Sequence, residues 1–203
     1  MTDNETIARA IKGDQVAQRT LYETHHAAAF RLAYLLLRDT CDAEEVVQDA
    51  FIYAFSNLRR YDPERGSFWA WLRVILVSRC RNKRRRKRLA CISLEALAAA
   101  GQAAADPEPS GDPVGMLDAL GTRRMVWEAL QHVSSGARDV LVLRYYEGLS
   151  YAEIADILDC SNDAARARAT HGKTQLRRLL AAPEDETIRE AVPVSIRCEG
   201  GVR

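Results

Sequence analysis

The sequence has no pair of cysteines spaced to hold a metal or to staple a small fold. Its five thiols, Cys41, Cys80, Cys91, Cys160 and Cys198, are scattered over 203 residues with no Cys-x-x-Cys step. Neither a zinc site nor a disulfide framework is expected, and the thiols read as reduced, small apolar groups. Also missing is an uncharged run long enough to cross a bilayer, which excludes a membrane span. The start, Met1 to Glu5, is polar and acidic with no apolar core behind it, so no secretory signal is read and a cytoplasmic location is expected. There is no phosphate-cradling glycine loop, no His-Glu-x-x-His and no nucleophile elbow. The adjacent His25 and His26 cannot share one helix face and read as core and surface groups. No catalytic residue, metal ligand or cofactor is assigned, and an enzyme is not expected.

An overall excess of one charge is lacking too, since the net charge is +1. The balance hides a local concentration. Arg79 to Arg88 reads RCRNKRRRKR and holds eight basic residues. Such a run is either a solvated helix end or an electrostatic footprint for a polyanion, and its neighbours have to decide.

At 203 residues the chain exceeds one domain of about 100 to 150 residues, so two small domains are expected. Helical periodicity runs from Glu5 to about Arg88, interrupted around Asp62-Pro63 and Gly66. Within Asp42 to Leu58, the residues Val46, Val47, Ala50, Phe51, Ala54, Phe55 and Leu58 recur at three and four spacing and define a core face. Asp42 and Glu45 resemble a capping box opening that helix. Thr20 to Leu37 and Ser67 to Arg88 are further helices, the latter changing from apolar to basic along its length. Residues 91–121, which include AAAGQAAADPEPSGDPVG, read as a flexible linker because Pro107, Pro109 and Pro113 lack amide donors and constrain their predecessors. A second helical domain is expected over 122–181 and a tail over 182–203. The tail is either a disordered end or a regulatory contact through Ile188, Val192, Val194 and Ile196.

Gly148 to Lys173 has the form of a helix-turn-helix. Ser150 and Glu153 make a capping box, with Ile154, Ile157 and Leu158 facing inward. Asp159 tolerates the left-handed backbone that ends the first helix, Cys160 fills the turn, and Ser161 caps the second helix. Arg166, Arg168, His171 and Lys173 then point outward, where they can meet phosphates and base edges in a major groove.

With these segments in place, the chain resembles the extracytoplasmic-function group of the sigma-70 family over residues 5 to 180. LYETHHAAAFRLAYLLLRD, DAEEVVQDAFIYAF and YDPERGSFWAWL followed by the arginine-rich run look like the family's second conserved region. LVLRYYEGLSYAEIADIL looks like its fourth. The resemblance implies an all-α fold of two small domains joined by a flexible linker. The first, residues 5–90, would bind polymerase and the −10 element, and the second, residues 122–181, the −35 element. Core RNA polymerase would be met through the clamp helices of its largest subunit and the flap of the second largest, with an anti-sigma factor as regulator and no membrane insertion.

The resemblance places Glu45, Gln48 and Asp49 against polymerase. It assigns −10 DNA to Arg65, Ser67, Trp69, Arg73, Ser78, Arg79, Arg81, Asn82, Lys83, Arg84 and Arg86, and −35 DNA to Ser161, Arg166, Arg168, His171 and Lys173. Trp69 is expected to be the exposed aromatic that stacks on a flipped base, with Phe68 and Trp71 in the core. The arginines would supply salt-sensitive phosphate affinity, and shorter groups near Ser78 and Asn82 the base choice. Two departures bear on promoter choice. Ser78 stands where the family usually has Asn, and Asp163, Ala164, Ala165 and Ala169 replace a Gly-Thr-Val step and a later Leu. Small residues there, and Gly172 inside the helix, predict a loosely packed recognition helix that orders further on DNA. The alternative is a stand-alone helix-turn-helix regulator that binds duplex DNA without recruiting polymerase.

Overall fold

The computed structural model describes the backbone of residues 3–98 and 121–181 and the side chains of 5–89 and 125–181. Most of the linker and the tail with its apolar residues therefore lie outside the described residues. Within them the fold is helical, without strands. The first half comprises α1 (Asp3–Ile11), α2 (Gln15–Leu37), α3 (Thr40–Ser56) and α4 (Phe68–Ala98), with two short 3-10 turns between α3 and α4. The second half comprises α5 (Gly121–Gln131), α6 (Ser135–Leu141), α7 (Tyr151–Leu158) and α8 (Asn162–Ala181). A π-helical turn, Val142–Tyr146, follows α6 directly. No helix among the described residues is long and apolar enough to cross a membrane.

Local chemistry sets the boundaries. Asp14 caps α2 by accepting from the amides of Val16 at 2.9 Å and Ala17 at 3.2 Å. α2 ends where Arg38 turns left-handed with φ 64°, a backbone that few residues other than glycine adopt. That reversal leaves Asp39 extended, and its carboxylate accepts from the Asp42 amide at 2.8 Å. The cap of α3 is therefore Asp39, three residues before the expected Asp42–Glu45 box. Asp42 is instead buried within the first turn, paired with Lys87 and, at 3.5 Å, with Lys83 of α4. α4 also outruns the expected domain end at residue 90 and continues to Ala98, so residues 91–98 are helix where a linker was expected.

Leu21, Leu32 and Leu36 of α2, Val47 of α3, and Phe68, Leu72 and Leu76 of α4 are fully buried and form the centre of the first half. Phe68 is core as expected, and Trp71 is half-buried against Phe68 and Tyr61. The core continues into the second half through Val140, Leu143, Ile154 and Leu158.

The recognition helix is packed differently from the loose helix expected of its small residues. Ala165, Ala169 and Gly172 are all buried along one stripe of α8. A Cβ on Gly172 would meet Leu141 Cδ1 at 2.7 Å and Ala137 Cβ at 3.2 Å. At Gly172 the missing side-chain volume is taken up by the close approach of α6, so this position leaves no space of the kind that makes large-to-small changes costly.

Candidate nucleic-acid interface

α3 presents two chemistries on opposite sides. Val46, Val47, Ala50, Phe51 and Ala54 are buried, while Glu45, Gln48 and Asp49 are exposed. Ile52, one turn beyond Gln48, is 65% exposed and extends this polar face with an apolar group. It was not anticipated, because a β-branched residue inside an apolar helix reads as core unless its phase is followed closely. Glu45 is also engaged within the fold: Lys83 Nζ donates to it at 2.5 Å, and this bond raises the lysine above its ordinary pKa.

The basic run of α4 divides into free and engaged groups. Ser78, Arg81, Asn82 and Arg86 are exposed, as are Arg65 and Ser67 in the segment before the helix. Ser67 caps α4 by accepting from the Ala70 amide at 3.2 Å. Arg79 lies over the Tyr53 ring, 4.9 Å from its centroid. Lys83 and Lys87 turn back toward the carboxylates of α3 and its cap.

The remaining predicted groups of α4 face the second half of the chain. Trp69, expected to be exposed, is half-buried, and its Nε1 donates to Glu147 Oε2 at 3.0 Å. Arg73 Nη1 donates to the same oxygen at 3.1 Å, with only 12% and 7% of the two side chains exposed. Arg84 forms a two-pronged pair with Asp139 at 2.7 and 2.5 Å. The physical reason is shared: carboxylates of the second half, Glu147 and Asp139, pair with these donors and draw them out of solvent.

Two arginines that sequence reasoning missed complete this seam. Arg138 of α6 donates to the carbonyls of Leu130 and Val133 in its own half and, at 3.2 Å, to Leu36 in the other. Arg38 Nη1 donates to the Gln131 carbonyl, while its buried Nε finds no partner. Burial, then the nearby charges of Arg38 and Arg84, pull the Arg138 guanidinium down to about 10. Burial opposes the charge of Arg84 as well, yet the hydrogen bonds and charge of Asp139 carry it above its ordinary value. Tyr34 and Trp127 stack across the same seam with ring centroids 4.8 Å apart. Asp139, Glu147, Arg38 and Arg138 carry no local motif, so only the tertiary arrangement identifies them.

The helix-turn-helix forms as its residues suggest. Ser150 and Glu153 make the reciprocal capping box, Asp159 is left-handed with φ 51°, and the Ala164 amide donates to Ser161 Oγ at 3.1 Å. Arg166, Arg168 and His171 are exposed on α8. Arg166 is steadied by Asn162 Oδ1 at 2.8 Å, and Lys173 Nζ lies 5.2 Å from the Tyr145 ring centroid. Among the described residues no group of three or more His, Cys, Asp or Glu side chains could hold a metal ion.

Comparison with known proteins agrees with this division. The family model described as Sigma-70 region 2 matches residues 21–89, and that described as Sigma-70, region 4 matches residues 123–176. The ECF RNA polymerase sigma factor SigE of Mycolicibacterium smegmatis is 32% identical over 182 residues, covering 88% of this chain and 68% of that protein. SigK of Mycobacterium tuberculosis is 28% identical over 181 residues, covering 88% of this chain and 94% of its own length. Among solved structures, CnrH in complex with the cytosolic domain of CnrY is similar at a TM-score of 0.57 and 27% identity, covering 88% of this chain and 97% of that one. Sigma factor RpoE of Bartonella quintana, solved with the anti-sigma factor NepR, shares the fold at a TM-score of 0.60 and 21% identity, covering 81% of this chain and 96% of its own. From the acidic face of α3 to the capped helix-turn-helix, the chain belongs to the extracytoplasmic-function group of the sigma-70 family.

Proposed function

We propose that the chain is a sigma factor that directs core RNA polymerase to specific promoters and assists opening of the −10 element, with no catalysis of its own. The observation that carries this reading is the two-sided α3. Its inner side is core, and its outer side sets Glu45, Gln48 and Asp49 beside an exposed Ile52. An apolar anchor ringed by polar groups is the composition of a protein-docking surface. The rival reading, a helix-turn-helix regulator acting on duplex DNA alone, leaves this face without a partner.

In the proposed mechanism polymerase binds α3, and residues 5–90 act on the −10 strand through α4. Residues 122–181 act on the −35 duplex through α8. Arg166, Arg168, His171 and Ser161 meet phosphates and base edges there, with Lys173 swinging out from Tyr145. Glu45 links the first two events. A polymerase cation that takes this carboxylate competes with Lys83, leaving the lysine only its longer pair with Asp42 at 3.5 Å and easing its transfer to a phosphate on α4. Trp69, Arg73 and Arg84 require more, because Glu147 and Asp139 hold them in the seam. Engaging both promoter elements therefore separates the two halves and exchanges those carboxylates for nucleic acid. Arg65, Ser67, Ser78, Arg79, Arg81, Asn82 and Arg86 complete the −10 surface. An anti-sigma factor, as in the relatives' complexes, would regulate by covering these faces. Core-polymerase affinity tests the reading: the substitutions Gln48→Ala and Asp49→Ala weaken binding while leaving the helical content unchanged. Unaltered affinity rejects α3 as the docking face.

A further inference from the structure

The seam between the two halves forms an open cleft of about 660 Å³ whose charge is one-sided. Arg81, Arg84, Arg85 and Arg88 of α4 form one wall and Arg168 of α8 reaches in from the other. The single lining carboxylate, Asp139, is already held by both prongs of Arg84. Among the described residues, Arg81, Arg85, Arg88 and Arg168 form no ion pair with a carboxylate. The Arg168 stem passes beside Gly136, where a Cβ would lie in ordinary contact with its Cδ at 3.9 Å. Behind Asp139 the seam holds Arg38 and Arg138, which bond to carbonyls and bring no counter-charge. Of the three guanidinium groups gathered at the seam, those of Arg38, Arg84 and Arg138, only that of Arg84 is bonded to a carboxylate.

The cavity's shape and lining select the anion. Its volume falls in the range of roughly 300 to 1,000 Å³ that takes small ligands, and a nucleic-acid duplex does not fit. Leu158 is the one aliphatic side chain in the lining, so there is no wall for stacking a base or seating a peptide's apolar side chains. Several convergent guanidinium forks match the oxygens of phosphates carried close together on one compact molecule. We propose that this cavity binds an oligophosphate, free or carried on a nucleoside, and that its occupancy holds the two halves closed. The ligand bridges walls that belong to different halves, so it binds the closed arrangement and not the open one, which shifts the population toward closure. The binding claim stands on the cavity itself, and only its consequence for promoter DNA rests on the sigma-factor reading.

The test is calorimetric titration of the full chain with inorganic tripolyphosphate at physiological salt, with inorganic monophosphate and an acidic peptide of equal charge as comparators. The expected result is saturable one-to-one binding that R168A weakens by about tenfold or more. R59A removes the same charge from an exposed turn outside the cavity and leaves the affinity as it was. R85A, on the opposite wall, repeats the R168A loss, and circular dichroism confirms that each variant is folded. R168K keeps the charge but lacks the fork and recovers part of the loss. A nucleoside triphosphate binding as tightly as tripolyphosphate means the phosphates alone are read, and one binding more tightly assigns the nucleoside-borne source. Binding without defined stoichiometry, or lowered equally by R59A and R168A, is diffuse attraction to the basic run and overturns the proposal. Equal binding of monophosphate at matched ionic strength overturns it too. Tighter binding of the acidic peptide assigns the cavity to a protein partner instead.

Discussion

Arg84 and Asp139, fifty-five residues apart, meet through two hydrogen bonds of 2.7 and 2.5 Å that fasten the basic helix α4 to α6, the helix that packs against the recognition helix α8. The carboxylate is 5% exposed and the guanidinium 23%. Pairs this far from water are costly to break by removing one partner, at about 3 to 5 kcal/mol. Asp139→Asn is therefore expected to shift the chain toward an open arrangement, leaving Arg38, Arg84 and Arg138 with no carboxylate among them. Fluorescence transfer between labels on α3 and α8 measures it: efficiency drops in the variant and stays high in the unsubstituted chain. Equal efficiency in both means the pair does not hold the seam.

Glu147 serves two donors with one oxygen, so its loss acts on Trp69 and Arg73 together. Glu147→Ala is expected to raise affinity of the isolated chain for single-stranded −10 DNA by about tenfold, since a masked indole and guanidinium become available for stacking and phosphate contact. The change is read by fluorescence anisotropy at two salt concentrations. A rise that persists in a Glu147→Ala, Trp69→Ala, Arg73→Ala triple variant shows that the masked pair is not its source.

Gly172 is a packing residue in this structure and not a weak point. Gly172→Ala gains about 1 kcal/mol of helix propensity. It also places a methyl 2.7 Å from Leu141 Cδ1 and 3.2 Å from Ala137 Cβ, and overpacking of this kind costs about 1 to 3 kcal/mol. The net expectation is a lower Tm with weakened −35 binding. Leu141→Ala destabilises by itself, but combined with Gly172→Ala it costs less than the sum, a coupling that a double-mutant cycle detects. Strict additivity means the two do not touch.

The capping box makes α7 acid-sensitive. The Ser150 hydroxyl and amide both donate to Glu153, at 2.6 and 2.8 Å, and hold its carboxyl below the ordinary value. A depressed carboxylate contributes stability that is present above its unfolded pKa and is lost as pH falls through its folded one. Amide protection in α7 should therefore decline between about pH 5 and 3. Glu153→Gln flattens that decline. An identical profile in the variant assigns the acid sensitivity to another group.

The parts legible in the sequence were those written locally. Ser150 with Glu153 declared a helix start, Asp159 a left-handed stop, and the Val47–Phe51 stripe a buried face. The cap of α3 was misplaced because Asp39 and Asp42 are both competent caps, and only the left-handed Arg38 selects the first. Trp69 was expected in solvent because its face of α4 leads away from the first core, and its partner Glu147 lies seventy-eight residues on. The alanines and glycine of α8 were read as lost packing because sequence reveals residue volume without the distance to the neighbouring helix. Pairings across the seam belong to tertiary geometry, which no short-range pattern encodes.

The central claim is that this chain brings polymerase to promoters through the outer face of α3. Its most direct test maps transcription starts after adding the full chain, or its Gln48→Ala, Asp49→Ala and Ile52→Asp variants, to core RNA polymerase on a promoter library. The account predicts start sites that depend on the unsubstituted chain and disappear with the variants, while −35 duplex binding through α8 persists. Normal duplex binding by the unsubstituted chain with no new start sites on core polymerase would contradict it and leave a stand-alone DNA-binding regulator.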